Sequence, residues 1–305
     1  LRGGEEGQPA YLPVKLGKST IRSICAGVKR SFDGLLRRNS LTGPFPMTNS
    51  SDSRLEIYER EATFFDRQAV DNRRAVDAVY GGYGLAIARG QMDHFAGELA
   101  NKNVLEYGCG NGHNLLHWGA YSASVIGIEL SQQSVARANQ LVHQHIKSIP
   151  AVAVPMNAEK LGFKNNSFDV IVGTAILHHL DLKLALPEIY RVLKPGGVGA
   201  FLEARGTNWF INFFRKITPS MRTADEHPLV EADFQLMKSH FEGVEVANFY
   251  ITALLSLVIR KIWRNEAFFV PLHKFLTTLD QTLVRLFPWL QKLCWIAVIQ
   301  VKKVR

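Results

Sequence analysis

Apolar and polar positions change their period twice along the chain. From Ser53 onward, Leu55, Tyr58, Ala62 and Phe65 recur at helical spacing, and Ser53 with Glu56 forms a capping-box pattern, so a helix is predicted to start there. A second helical stretch covers Gln91 to Leu99. From Asn103, short apolar runs alternate with helical segments. Strands are predicted at Val104–Tyr107, Ser124–Ile128, Ala151–Val154, Phe168–Val172 and Val198–Leu202, and helices at Leu115–Tyr121, Ser131–His145 and Leu182–Leu193. Regular strand–helix alternation predicts an α/β fold whose mostly parallel sheet is covered on both faces. Right-handed crossovers make that sheet doubly wound, with its ligand crevice at the carboxyl ends of the strands. After Glu203 the pattern loosens into a helical insertion over 204–242, then strands at Val244–Tyr250 and Trp295–Val301. Between those two strands lie over forty mostly helical, strongly apolar residues.

Composition changes this picture little. With 47% hydrophobic and 21% charged residues in 305, the chain is globular, which excludes a disordered or disulfide-scaffold protein. The net charge of +9 is divided unevenly, with +5 in residues 1–46, −2 in 47–203 and +6 in 204–305. A nucleic-acid grip would show as a basic patch or stripe, and here the catalytic middle is slightly acidic. No nucleic acid is therefore expected, although an RNA-directed enzyme stays open as an alternative, and a membrane surface fits the charge as well. Cys25, Cys109 and Cys294 are far apart and form no CxxC, so no metal site is expected and a reducing, cytoplasmic setting is the default. Residues 1–46 are rich in Gly and Pro and lie outside the expected fold. They read as translated sequence upstream of Met47, or as an organellar transit segment.

The chemistry sits in VLEYGCGNGHN, Val104 to Asn114. A strand ends in Glu106, and Gly108, Gly110 and Gly112 alternate before a helix. Glycine permits positive φ and close backbone approach, and a helix amino end offers unpaired N–H groups. The dinucleotide fingerprint needs a third glycine where this chain has His113, and it places a pyrophosphate where this chain has a carboxylate. An acid at that point suits an ammonium group instead.

The stretch resembles motif I of class I S-adenosylmethionine-dependent methyltransferases, small-molecule members of the type-11 kind. The resemblance continues through VIGIELS (Val125 to Ser131), MNAEKLGFKNNSFDVIVGTAILHHL (Met156 to Leu180) and LKPGGVGAFLE (Leu193 to Glu203). It implies a Rossmann-like, seven-stranded, mostly parallel sheet with helical insertions after the fifth strand and between the last two. In domain terms it implies a methyltransferase domain over 47–305: a helical lid (47–102), a cofactor core (103–203), substrate-cap insertions (204–293) and a final strand (294–305). S-adenosyl-L-methionine is the implied cofactor. Its site would comprise Glu106, Tyr107, Gly108, Cys109, Gly110, Gly112, Asn114, Glu129, Leu130, Asn157, Ala158, Glu159, Gly173 and Thr174. Glu129 would take the ribose hydroxyls, and Asn157 stands where many members carry an adenine-binding Asp.

A base beside the sulfonium belongs at the end of the fourth strand, where His178 and His179 follow; one of them, with His179 preferred, is the candidate. Tyr58, Tyr80, Tyr83, Glu203, Arg205, Asn208, Trp209 and His227 are candidates for the acceptor side. GTAI (Gly173 to Ile176) replaces the Asn/Asp-Pro-Pro-aromatic signature of base-amino methylating enzymes, which favours an O or C atom of a small hydrophobic metabolite: a lipid, quinone, polyketide or glycosylated compound. A non-catalytic interaction protein on the same fold is the remaining alternative. YITALLSLVIRKIW (Tyr250 to Trp263) could face a core, a homodimer partner or a membrane interface.

Overall fold

The computed structural model describes residues 53–71, 82–218, 223, 225–263 and 265–304, all within one compact unit spanning Leu35–Arg305. Residues 1–46, expected as a leader or upstream segment, and Tyr80, expected at the acceptor, lie outside the described residues, as does the side chain of Tyr83. Two helices, α1 (Ser53–Asp71) and α2 (Ala86–Ala96), precede the sheet. There follow β1 (Asn103–Tyr107), α3 (His113–Gly119), β2 (Ser124–Glu129), α4 (Gln132–His145), β3 (Ala151–Pro155), β4 (Phe168–Thr174), α5 (Leu182–Val192) and β5 (Leu193–Ala204). The last part holds α6 (Trp209–Ile217), α7 (Glu231–His240), β6 (Gly243–Phe249), α8 (Ala253–Trp263), α9 (Glu266–Leu286) and β7 (Ile296–Lys302).

The seven strands order as β3-β2-β1-β4-β5-β7-β6, and β7 alone runs antiparallel to its neighbours. The doubly wound sheet read from the alternation is thus present. Its central strands are buried on both faces, as β1, β2 and β4 show through Val104, Leu105, Val125, Ile126, Ile171 and Val172. This explains their continuous apolar runs. Helix α2 lies on the sheet with Ala88, Met92 and Phe95 in the core, and Gln300 of β7 donates to the Phe95 carbonyl at 2.7 Å. The second helix begins five residues before the predicted Gln91, because Ala86–Gly90 carries only small apolar side chains and one Arg and gives no strong period.

The order reverses between β1 and β4, so the crevice opens above the carboxyl ends of these strands. Ala204 at the end of β5 pairs with Ile296 at the start of β7, and Phe249 at the end of β6 pairs with the same residue. Everything inserted after β5 and between β6 and β7 therefore leaves the sheet at the crevice end. Inside that insertion, Asp280 of α9 accepts from the backbone N–H groups of Ile251, Thr252 and Ala253 and from the Thr252 hydroxyl, capping α8. Ser256 and His273 lie 2.7 Å apart and join the two helices below the surface.

Candidate active site

The turn from β1 to α3 has three residues with positive φ: Gly108 at 65°, Gly110 at 50° and Gly112 at 87°. A Cβ on Gly108 would stand 2.8 Å from Ile176 Cδ1, and one on Gly112 would stand 2.8 Å from the Ala138 Cα. Both conformation and space demand glycine. At the adjacent strand end, Glu129 Oε2 accepts from Gly110 N at 3.0 Å, while Oε1 accepts from Leu130 N at 2.7 Å and Ser131 N at 3.0 Å. Its carboxylate is therefore fixed in direction before any ligand arrives. An ionised carboxylate has about four acceptor positions, so a hydroxyl can still bind beside these three amides. The glycine cradle and the oriented acid fit a nucleoside-bearing ligand with a cationic tail.

Several residues expected at the cofactor have side chains buried in the fold. Tyr107 is fully buried with its ring edge-on to Phe201, and burial pushes its hydroxyl pKa well up. Cys109 is buried, and its sulfur occupies the space a side chain on Gly127 would need. Glu106 is buried at the end of β1. Asn114 lies in the first turn of α3, and Leu130 lies between Glu129 and the helix-capping Ser131. Asn157 Oδ1, expected to face adenine, accepts from Glu159 N at 2.8 Å, and Ala158 is buried between them. Gly173 ends β4 with no room for a Cβ against Ile176 and Phe201, and the Thr174 hydroxyl contacts the Met92 sulfur at 3.8 Å.

The two histidines lie in a short 3₁₀ turn, Leu177–His179, with ring centroids 4.4 Å apart. Nδ1 of His178 is 2.7 Å from Glu203 Oε2, and Glu203 Oε1 accepts from Ile176 N and Leu177 N. Glu203 is wholly buried, so it positions the turn and is not an acceptor-side residue. His179 Nδ1 lies 3.1 Å from Glu61 Oε2, an ion pair off the line of a hydrogen bond, and its Nε2 lies 3.8 Å from Glu226 Oε1. Phe65 meets the ring edge-on. Burial pushes the His179 pKa down, but Glu61 and then Glu226 and Glu203 outweigh it, holding the imidazole above its ordinary value. Burial works against Glu61 too, yet His179 leaves that carboxyl below its ordinary value. His178, His179 and Glu226 offer metal-ligating atoms within 4.8 Å of one another. Glu226 is also held by Arg215 at 2.9 Å, so the group is read as three ion pairs: Glu203–His178, Glu61–His179 and Glu226–Arg215.

Helix α1, expected as a lid, contacts the core at several points. Tyr58 donates to Glu159 Oε2 at 2.5 Å, and burial together with Glu159 raises its phenol pKa. Arg54 pairs with Asp181 at 3.3 Å. Asp66 contacts the Ser131 hydroxyl and accepts from Gln133 N, tying α1 to the start of α4 behind Glu129. A cleft opens between this helix and residues 179–183, lined also by Glu159, His227 and Leu236 but by none of the glycine-turn residues.

Other acceptor-side candidates are displaced. Arg205 is buried over the Phe234 ring at 4.8 Å and donates to Asn248, so it braces β5 against α7 and β6. Asn208 is buried, caps α6 and donates to the Leu293 carbonyl. Trp209 points outward and is 72% exposed. His227 stays at the cleft, its N–H donating to the His178 carbonyl. Sequence reasoning missed Glu61, Asp66 and Glu226. A signal existed for Glu61, an acid one turn from Tyr58 and from Phe65 on the face read as apolar.

The sequence profile of the methyltransferase domain family matches residues 105–201, the segment carrying the glycine turn, Glu129 and both histidines. The matched segment is similar to methyltransferase domains. The uncharacterized methyltransferase sll0829 of Synechocystis is 31% identical over 112 residues, 35% of this chain and 50% of that one. The 27-O-demethylrifamycin SV methyltransferase of Amycolatopsis mediterranei is 34% identical over 118 residues, 36% of this chain and 43% of that one. The chain thus spans half or less of these relatives' length. Among solved structures, the Haemonchus contortus phosphoethanolamine N-methyltransferase 2, bound to phosphomonomethylethanolamine and S-adenosylhomocysteine, superposes with a TM-score of 0.58 at 19% identity, over 86% of this chain and 62% of that one. At that identity the likeness is one of fold. The sheet continues beyond the matched segment through β6 and β7.

Proposed function

We propose that this protein transfers a methyl group from S-adenosylmethionine to an O or C atom of a small hydrophobic acceptor, with His179 as the base. The observation carrying this reading is a base-and-carboxylate pair, His179–Glu61, under a lid helix at the same sheet end as the glycine turn and Glu129. When bound, the cofactor supplies the electrophilic methyl group on a sulfonium. Gly108 to Gly112 would cradle its amino-acid end, and Glu129 would accept from its ribose hydroxyls. Helix α1, tied down by Asp66 and Tyr58, excludes water. The acceptor's nucleophile would lie toward His179, which takes its proton at a ring nitrogen while Glu61 stabilises the imidazolium so formed. Support for a hydrophobic acceptor comes from the apolar insertions and from a relative named for acting on 27-O-demethylrifamycin SV.

The direct test is incubation with methyl-labelled S-adenosylmethionine and an organic extract of source cells, followed by partition. Label in the organic phase supports the reading; label confined to an added RNA fraction contradicts it. The charge pair sets the pH dependence. A base works neutral, so the rate rises with pH through an apparent pKa above the ordinary 6.5 of histidine. Glu61→Gln is expected to move that inflection down. Stability runs the other way: the raised His179 pKa contributes fully below about 6.5 and is lost as pH rises through the folded value. The lowered Glu61 pKa contributes above about 4.5 and is lost as pH falls through its folded value. Pair stabilisation is therefore greatest between these limits, where the base is protonated. Thermal melts across pH 4 to 9, wild type against Glu61→Gln, read this directly.

A further inference from the structure

Helix α9 presents its apolar side outward. Phe269, His273, Thr277 and Asp280 face inward at i, i+4, i+8 and i+11, a mostly polar set in which His273 meets Ser256, Asp280 caps α8 and Thr277 donates to the His273 carbonyl of its own helix. Phe268, Phe275, Leu279 and Leu286 lie exposed on the other side. A helix covering a core in water does the reverse. Helix α8 repeats the pattern with Leu255, Val258 and Ile262 exposed, and α6 carries Trp209, Phe210, Phe213 and Ile217 on one exposed stripe. Trp263 and Trp289 are exposed by 70% and 65%. Exposed aromatics in this number, on helices of the two insertions, mark an interaction surface.

Its charge says what covers it. Residues 253–293 carry six Lys/Arg against two acids, and one of those acids, Asp280, is buried as the α8 cap. Helix α6 ends in Arg215 and Lys216 with no acid of its own. Exposed Lys274, Arg285 and Lys292 stand among the aromatics. Exposed tryptophans, phenylalanines and aliphatic side chains together with cations are the composition that seats a surface helix at an anionic lipid interface. A two-fold contact between copies of the chain would instead bring this basic face against itself. No helix among the described residues is long and apolar enough to cross a membrane, so the surface would lie on a bilayer and not span it.

Position supplies the functional consequence. Both insertions leave the sheet where β5, β6 and β7 meet at Ala204, Ile296 and Phe249, the end at which the glycine turn and His179 lie. We propose that this rim docks the protein on an anionic membrane surface, placing the crevice mouth against the lipid, so that the acceptor is an amphiphile drawn from the bilayer. The docking stands on the rim alone; the acceptor class rests on the methyl-transfer reading.

Vesicle flotation tests it, using the intact chain with phosphatidylcholine vesicles with and without 30% phosphatidylglycerol, and with no cofactor present. Binding to the anionic vesicles, weakened by 0.5 M salt, is expected. Phe213→Ser/Trp263→Ser/Trp289→Ser together should lower the partition coefficient more than about tenfold, with unchanged circular dichroism and an unchanged thermal shift by S-adenosylhomocysteine. Lys274→Glu/Lys292→Glu should remove the preference for phosphatidylglycerol. No flotation of wild type, or equal flotation of the triple variant, overturns the docking. A wild-type dimer in sedimentation that the triple variant converts to monomer assigns the surface to a second copy and also overturns it. Flotation without any cofactor-dependent thermal shift would leave the docking standing and remove the methyl-transfer reading.

Discussion

A His179→Ala protein is expected to keep its affinity for S-adenosylhomocysteine and to lose about 10²–10⁴-fold in methyl-transfer rate. The reason is local. His179 is the ring with carboxylates facing both nitrogens, Glu61 at 3.1 Å and Glu226 at 3.8 Å, and it lines the cleft beside α1. His178 is held by Glu203 inside the turn. His178→Ala should therefore act through stability, because it strands the buried Glu203 carboxylate, at a cost of roughly 3–5 kcal/mol. The two variants separate on rate: both lower the melting temperature, since His179→Ala strands the buried Glu61 as His178→Ala strands Glu203, but only His179→Ala lowers kcat of the folded protein. Equal rate losses with equal melts would make the pair interchangeable and remove the assignment of His179.

The second large effect is structural. Gly112→Ala should cost about 2–5 kcal/mol, since it combines a left-handed φ of 87° with a Cβ placed 2.8 Å from both the Ala138 Cα and Cβ. The Ala138 Cα is backbone of α4 and cannot swing aside, so α3 and α4 must separate. A fall of about 5–15 °C in Tm is the expected readout, with cofactor affinity reduced alongside. Gly90→Ala is the control: nothing lies within 4 Å of its Cβ in α2, and a gain of about 0.5–1 kcal/mol is expected there.

How much of this was legible beforehand varies with the physics involved. The parallel core was, because strands buried on both faces give unbroken runs such as Val125–Ile128, and Ser131 caps α4 as its position implied. The glycine turn and Glu129 were legible because backbone conformation restricts the residues that can occupy it. The roles of Glu203, Arg205 and Asn208 were not. A polar residue at a strand end reads the same whether it meets a substrate or a neighbouring buried partner, and here Glu203 meets His178 while Arg205 meets Phe234 and Asn248. Glu61 and Glu226 are 165 residues apart in sequence and meet only around His179, which no local period reveals. The last strands were placed within two residues, yet the outward turn of the aromatic side of α9 is invisible to periodicity, since a helical stripe looks identical facing core or solvent.

The decisive measurement is a calorimetric titration of S-adenosylhomocysteine into wild type and Glu129→Ala. Saturable one-site binding by wild type, weakened at least about a hundredfold by removing the carboxylate that Gly110, Leu130 and Ser131 hold in place, is the predicted result. Heat from a nicotinamide dinucleotide in place of the thioether, or identical isotherms for the two proteins, would contradict it.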